Sequence, residues 1–231
     1  MESREGQISA VTALDEPTRR RLYDYVVRQP EPVSRDDAAA ALQLRAPQRR
    51  FISTGLVEEG LLEVVYQRRT GRTGPGAGRP AKLYRRSDQQ VAVSLPQRRY
   101  DLAGQLLSSA LEHAERSGDS PRATLDQRAY QMGQELGDTA RSTAGDRDTR
   151  KTVLQVLEAY GFEPRSEDGT VTLANCPFHT LAQDYTEMVC GMNLRLLDGL
   201  LDGLAPTGLT AHLDPAPSRC CVRLHLTDPG Q

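Results

Sequence analysis

The chain of 231 residues is 38% hydrophobic and 26% charged, with a net charge of −2, a profile that suits one large globular core or two small ones. No run approaches the ~18–20 apolar residues of a membrane span. The opening MESREGQISA lacks the apolar stretch of a signal peptide, so a cytoplasmic protein with no membrane partner is expected. The charge is uneven. Residues 1–90 hold sixteen Lys/Arg and twelve Asp/Glu, +4, and residues 91–231 hold thirteen and nineteen, −6. Only the front is expected to meet a polyanion. Four cysteines in a reducing compartment are expected to be buried, metal-bound or redox-active rather than paired as disulfides.

LDEPTRRRLYDYVVRQ predicts a helix with Asp15 as N-cap, Pro17 in the first turn, and Leu22, Tyr25 and Val26 at helical spacing. In SRDDAAAALQL, Ser34 and Asp37 are spaced as in a capping box ahead of a short Ala/Leu helix. PQRRFISTGLVEEG predicts a third helix stopped by Gly60. LLEVVYQRR and RPAKLYRR then predict two strands around the glycine-rich tip TGRTGPGAG. Three short helices and a hairpin are the order of a winged helix-turn-helix, here residues 1–90. From Leu61 to Arg86 seven basic residues (Arg68, Arg69, Arg72, Arg79, Lys82, Arg85, Arg86) face one acid, Glu63. Double-stranded DNA is the expected partner. Phosphate contacts are assigned to Arg68, Arg69, Arg72, Arg79 and Lys82, and groove contacts to the helix containing Gln48, Arg49 and Arg50. The competing reading is a solvated, charged hairpin with no partner.

The words LVEEGLLEV and GRPAKLY resemble the winged-helix domain of bacterial regulators of the ArsR/DeoR-like class, particularly the SufR-type iron–sulfur regulators, over roughly residues 10–90. In that family GRPxxxY follows the wing tip. One stretch departs from the pattern: related recognition helices read something like FHLDRL, where this chain has FISTGL. Written in GC-rich codons and read one nucleotide earlier, residues 45–55 become ARPTAPFHLDR. A pair of compensating frameshifts is the hypothesis this suggests, a genuinely altered helix being the alternative, and resequencing the gene tests it. An altered helix leaves base contacts in question and phosphate contacts through the wing intact.

After a polar connector, YDLAGQLLSSALEHAERSG places Leu102, Leu106 and Ala110, and Ala103, Leu107 and Leu111, at helical spacing. This helix is read either as a dimer helix, since two-fold proteins read two-fold operators, or as packed on its own C-terminal domain. A homodimer is expected. LDQRAYQMGQELGDTARS and TRKTVLQVLEAYGF predict further helices around the loop TAGDRD, so residues 91–150 read as a helical linker and dimerisation region. FEPRSEDGTVTLANC predicts two strands around EDG, opening an α+β sensor domain over residues 151–231. The fold class expected for the whole chain is α+β.

NCPFHTLAQDYTEMVC raises the question of a metal cradle. A helix unbroken from residue 179 to 204 would hold His179 and Cys190 ~16 Å apart. Joint ligation therefore needs a break, with Asp184 or Thr186 capping a second helix near Tyr185. Cys190 would then sit in early turns whose dipole favours a thiolate. Adjacent strand residues face opposite ways, so only one of Cys220 and Cys221 is expected to join easily. The array Cys176-x13-Cys190-x29-Cys220 lacks the CxxC pairs of zinc ribbons.

CPFHxLA, VCxMNxxLLxGLL and CCVxL resemble the C-terminal sensory domain of the SufR-type family, where cysteines at comparable positions hold an iron–sulfur cluster whose loss alters DNA binding. The resemblance implies Cys176, Cys190 and Cys220 as ligands of a 4Fe-4S or 2Fe-2S cluster, with His179, or less readily Cys221, as a fourth. It implies a transcriptional regulator, a repressor by preference, that senses redox or iron–sulfur status. Zinc in the same site is the alternative. An enzyme using Cys176 or Cys190 with His179 as base has no evident oxyanion loop, phosphate-binding glycine motif or third orienting residue. No enzymatic activity and no small-molecule substrate are therefore expected. Each cysteine alone is more simply a small buried hydrophobe. His113, His212 and His225 read as surface or packing residues, and the run Met188, Met192, Leu196, Leu197, Leu200, Leu201, Leu204 as core or dimer surface.

Overall fold

A computed structural model of the chain describes residues 4–44, 55–68, 80–145, 148–167, 169–216 and 219–227. It is a mixed helix-and-sheet protein, α+β as expected, and it divides into two compact units, Met1–Val93 and Ser94–Gln231.

In the first unit, α1 (Arg4–Ala13) precedes every element expected from the sequence. Its contacts to the core are Ala10 and Ala13, and alanines leave too faint an apolar stripe to advertise a helix. The next helix, α2 (Pro17–Val27), starts where Pro17 presets φ for a first turn. Its cap is Glu16, not Asp15: the Glu16 carboxylate accepts from the backbone N–H of Thr18 at 2.9 Å and of Arg19 at 2.7 Å. Asp15 is used earlier, its own N–H closing a turn on the Thr12 carbonyl. Leu22 and Val26, four apart, bury one face. Between β1 (Val33–Ser34) and α3 (Arg35–Ala41), Ser34 caps as expected, its hydroxyl accepting from Asp37 N–H at 3.1 Å.

The expected third helix falls largely on residues 45–54, outside the described residues. Its end, residues 55–58, is helical, and Gly60 stops it with φ +68. The Leu61 N–H then returns to the Leu56 carbonyl, a turn closure that a left-handed residue permits. Strands β2 (Leu62–Gln67) and β3 (Ala81–Arg86) pair antiparallel from Leu62↔Arg86 to Gln67↔Ala81, and β1 adds to β3 through Val33↔Tyr84. The sheet order is β1-β3-β2. Leu56 and Leu62 are nearly inaccessible; burying each contributes roughly 1.5–3 kcal/mol.

The second unit runs α4 (Tyr100–Ser117), α5 (Pro121–Ala144), α6 (Thr149–Ala159), β4 (Pro164–Glu167), β5 (Thr170–Leu173), α7 (His179–Asp184), α8 (Thr186–Leu204), β6 (Leu209–Leu213) and β7 (Val222–Leu226). Its sheet is antiparallel in the order β4-β5-β7-β6. Alternation along β5 and β7 turns Val171, Leu173, Val222 and Leu224 to one buried face. That face shares a core with Leu106 of α4, Leu125 of α5, Leu157 of α6 and Leu197 of α8. The stretches 91–150 and 151–231, read apart in the sequence, thus contribute to one core. The stripe that made α4 a candidate dimer helix, Leu102, Ala103, Leu106 and Ala110, is buried within this unit, while Leu111 remains 55% exposed. The run from Met192 to Leu204 on α8 is core.

The tightest seam joins α5 and α8. Gly133 and Gly137 on one helix and Gly199 and Gly203 on the other are each four residues apart, hence on one face. A Cβ built on Gly133 would enter the Leu196 carbonyl, one on Gly199 the Tyr130 carbonyl, and one on Gly203 the Gln134 carbonyl. The backbones themselves touch. No helix among the described residues is long and apolar enough to cross a membrane.

Candidate functional site

Chain path brings the cysteines together. At the end of β5 the Leu173 carbonyl accepts the N–H of Cys220 at 2.9 Å, which sets the residue before Cys221 beside the Cys176 loop. The helix after that loop breaks at Tyr185 (φ −129, ψ 50), between α7 and α8, where the ligation argument required a break. No side chain caps α8; the Thr186 hydroxyl instead donates back to the Ala182 carbonyl at 2.7 Å. Cys190 is therefore the fifth residue of α8, buried at its start.

The four thiols form a linked chain. Cys176 is raised well above the usual thiol range, first by the hydrogen bond it makes to Cys220, then by burial and by charge on Cys220. Cys220 feels its bond with Cys176 as a lowering influence. Its bond with Cys221, burial and charge on Cys221 outweigh that, and its thiol is pushed up to about 12. Cys190 is raised by burial, against a hydrogen bond with Cys221, with charge on Cys176 and Cys220 adding to the rise. Its thiol is raised, against the thiolate expected from its place at a helix start. Held above the usual thiol range, Cys176, Cys190 and Cys220 are poor nucleophiles.

Two sequence expectations change here. Cys220 and Cys221 lie in the bend before β7, which begins at Val222. The alternation of a strand does not separate them, and both interact with other cysteines. His179, by contrast, is exposed, and its backbone N–H turns back to the Cys176 carbonyl at 3.1 Å. No three His, Cys, Asp or Glu side chains among the described residues converge as ligands around a single ion. The donor types alone suit a thiolate-bound centre: Cys176, Cys190 and Cys220 are buried, Cys221 is half-buried, and they come from three distant segments.

Five further residues support the site and carried no sequence signal beyond being polar. Asn175, buried beside Cys176, donates to the carbonyls of Gln97 (2.9 Å) and Gly161 and accepts from Arg98. Arg98 also donates to the Cys176 carbonyl at 3.2 Å. Next to it, Arg99 N–H reaches the Pro177 carbonyl at 3.0 Å, and the Tyr100 hydroxyl donates to Thr180 Oγ1 at 2.8 Å. Residues 97–100 therefore clasp the loop 175–180 along its length. On α8, Asn193 is fully buried and donates from Nδ2 to Cys220 Sγ at 3.2 Å.

In the first unit, Arg68 and Lys82 are exposed on the hairpin; Lys82 Nζ stands 5.5 Å from the centre of the Tyr84 ring. Glu63, the acid among the hairpin's bases, is neutralised by Arg85 directly across the ladder. Gln48, Arg49, Arg50, Arg69, Arg72 and Arg79 lie outside the described residues. No protein-family model, curated protein or solved structure matches this chain.

Proposed function

We propose that this protein is a cytoplasmic, homodimeric DNA-binding transcriptional regulator, a winged helix-turn-helix reader whose C-terminal unit holds an iron–sulfur cluster and senses its state. The observation that carries the reading is the gathering of buried Cys176, Cys190 and Cys220 with half-buried Cys221, from three distant segments of the chain. Single buried cysteines are ordinary; four drawn together after a separation of up to 45 positions, from Cys176 to Cys221, are donors that a shared thiolate-bound centre would use. Cys176, Cys190 and Cys220 would hold the cluster, with Cys221 the favoured fourth donor over His179. When bound, a cluster supplies a redox-active, oxygen-labile crosslink. The residue types in the sequence motifs support the same assignment.

The chain offers a physical route from thiols to DNA. Drawing Cys176 toward its partners pulls on the loop 175–180, and Arg98, Arg99 and Tyr100 are hydrogen-bonded to that loop. Those residues follow directly, in sequence, on the N-terminal unit. A shift of the loop would act on Arg98, Arg99 and Tyr100 at the start of the second unit, and coupling to DNA would need that shift to differ between the cluster-bound and cluster-free states.

Purification of the full chain under anaerobic conditions, with iron, sulfide and zinc analysis, tests the reading. Brown protein with stoichiometric iron and sulfide is the expected result. Colourless protein retaining stoichiometric zinc moves the site to the zinc alternative, since four thiolates also suit that ion. Protein without either sinks the sensor reading. For the DNA-facing hairpin, Arg68→Ala and Lys82→Ala are each expected to weaken binding to all duplexes and to reduce the slope of log affinity against log salt by about 1. An unchanged slope removes the hairpin from the phosphate contacts.

A further inference from the structure

Asn193 is the polar side chain that the thiol reading has not absorbed. It lies three residues after Cys190, on the same face of α8, and is fully buried. Its Nδ2 is 3.2 Å from Cys220 Sγ. Its Oδ1 is buried and has no hydrogen-bond partner among the described residues. A buried amide acceptor left unpaired costs about 1–3 kcal/mol, and a neutral thiol is only a weak acceptor for the amide N–H. In the metal-free core this side chain is therefore a poor bargain, worse than a leucine of similar length.

Its geometry makes sense toward a sulfur that carries negative charge, because charge-assisted hydrogen bonds are about twice as strong as neutral ones. Resting on the proposed function above, we infer that Asn193 is a positioning residue of the thiol site, its amide donating to Cys220 as a metal-bound thiolate, holding that ligand and tuning the bound centre. Hydrogen bonds to ligand sulfurs stabilise the more negative, reduced state of a cluster, so the Asn193 amide raises the reduction potential.

The test compares wild-type full chain with Asn193→Leu, metal-free, loaded with Co(II), and reconstituted anaerobically with ferrous iron and sulfide. Metal-free Asn193→Leu is expected to unfold at the same urea concentration as wild type or a higher one, since it removes the donor and the unpaired acceptor together. It is expected to bind Co(II) about 10–100-fold more weakly, the usual effect of losing a residue that orients a ligand. Its reconstituted cluster is expected to have a more negative potential. Co(II) affinity and potential equal to wild type overturn the inference, whatever the stability, while leaving the cluster reading standing. Wild-type protein that takes up neither Co(II) nor a cluster overturns the cluster reading and the role of Asn193 with it. If Asn193→Leu does not fold, Asn193→Ala carries the same readouts; failure of both to fold overturns the inference, because the amide then serves the metal-free core.

Discussion

Gly199→Ala is expected to destabilise the C-terminal unit by at least about 3 kcal/mol, the upper range for overpacking a core, measured as a lower urea midpoint followed by helical circular dichroism. The sign is not obvious in advance. In a free helix alanine is favoured over glycine by about 0.5–1 kcal/mol, so helix propensity pushes the other way. Sterics decide it: a Cβ on Gly199 runs into the backbone carbonyl of Tyr130, and one on Gly133 into that of Leu196. Backbone cannot rotate aside as a side chain does, so α5 and α8 must part and the leucines between them lose contact. Gly104 supplies the control. It also lies within a helix, α4, but a Cβ there meets nothing within 4 Å, and Gly104→Ala is expected to raise stability by about 0.5–1 kcal/mol. Equal effects at the two positions would remove the helix–helix seam as the basis of the unit's stability.

Replacing Cys220 by serine is expected to have the largest functional effect. Cys220 is the middle of the thiol chain, interacting with Cys176 and Cys221 and accepting from Asn193. Serine keeps the volume nearly unchanged and removes a soft donor, so loss of metal is separated from loss of fold. Iron and sulfide content after anaerobic reconstitution should fall by at least about tenfold, as for a lost ligand or its orienting partner, with Cys176→Ser and Cys190→Ser behaving alike. Cys221→Ser and His179→Ala identify the fourth donor: the first is expected to lower iron content and the second to leave it unchanged. Operator binding by Cys220→Ser should match that of metal-free wild type. Full iron retention in Cys220→Ser would end the assignment of these thiols as ligands.

Much of the architecture is legible without coordinates because it is written in short-range chemistry. Ser34 followed by Asp37 announces a cap, Gly60 announces a stop through its left-handed backbone, and the two β-rich runs flanking TGRTGPGAG pair as a hairpin. The break at Tyr185 lies where joint ligation by His179 and Cys190 would have required one, although His179 itself is exposed. Misreadings arose where one residue of register or a faint stripe decides. The cap moved from Asp15 to Glu16, and α1 hid behind small alanines. The separation of Cys220 from Cys221 assumed a strand already begun at Cys220, whereas it begins two residues later, at Val222.

What the sequence alone determines about this protein is its local vocabulary: the elements, the basic hairpin, and cysteines whose motifs resemble a cluster-binding sensor. Which sulfurs meet, that Asn175 and Arg98 strap the Cys176 loop, that Asn193 turns to Cys220, and that four glycines let two helices touch, all belong to tertiary structure. The reason is physical. Caps and turns close over three to five residues, where spacing along the chain is distance in space. The thiol array closes over loops of tens of residues, and only packing of α8 against α5 and of β5 beside the bend at Cys220 brings its members within reach.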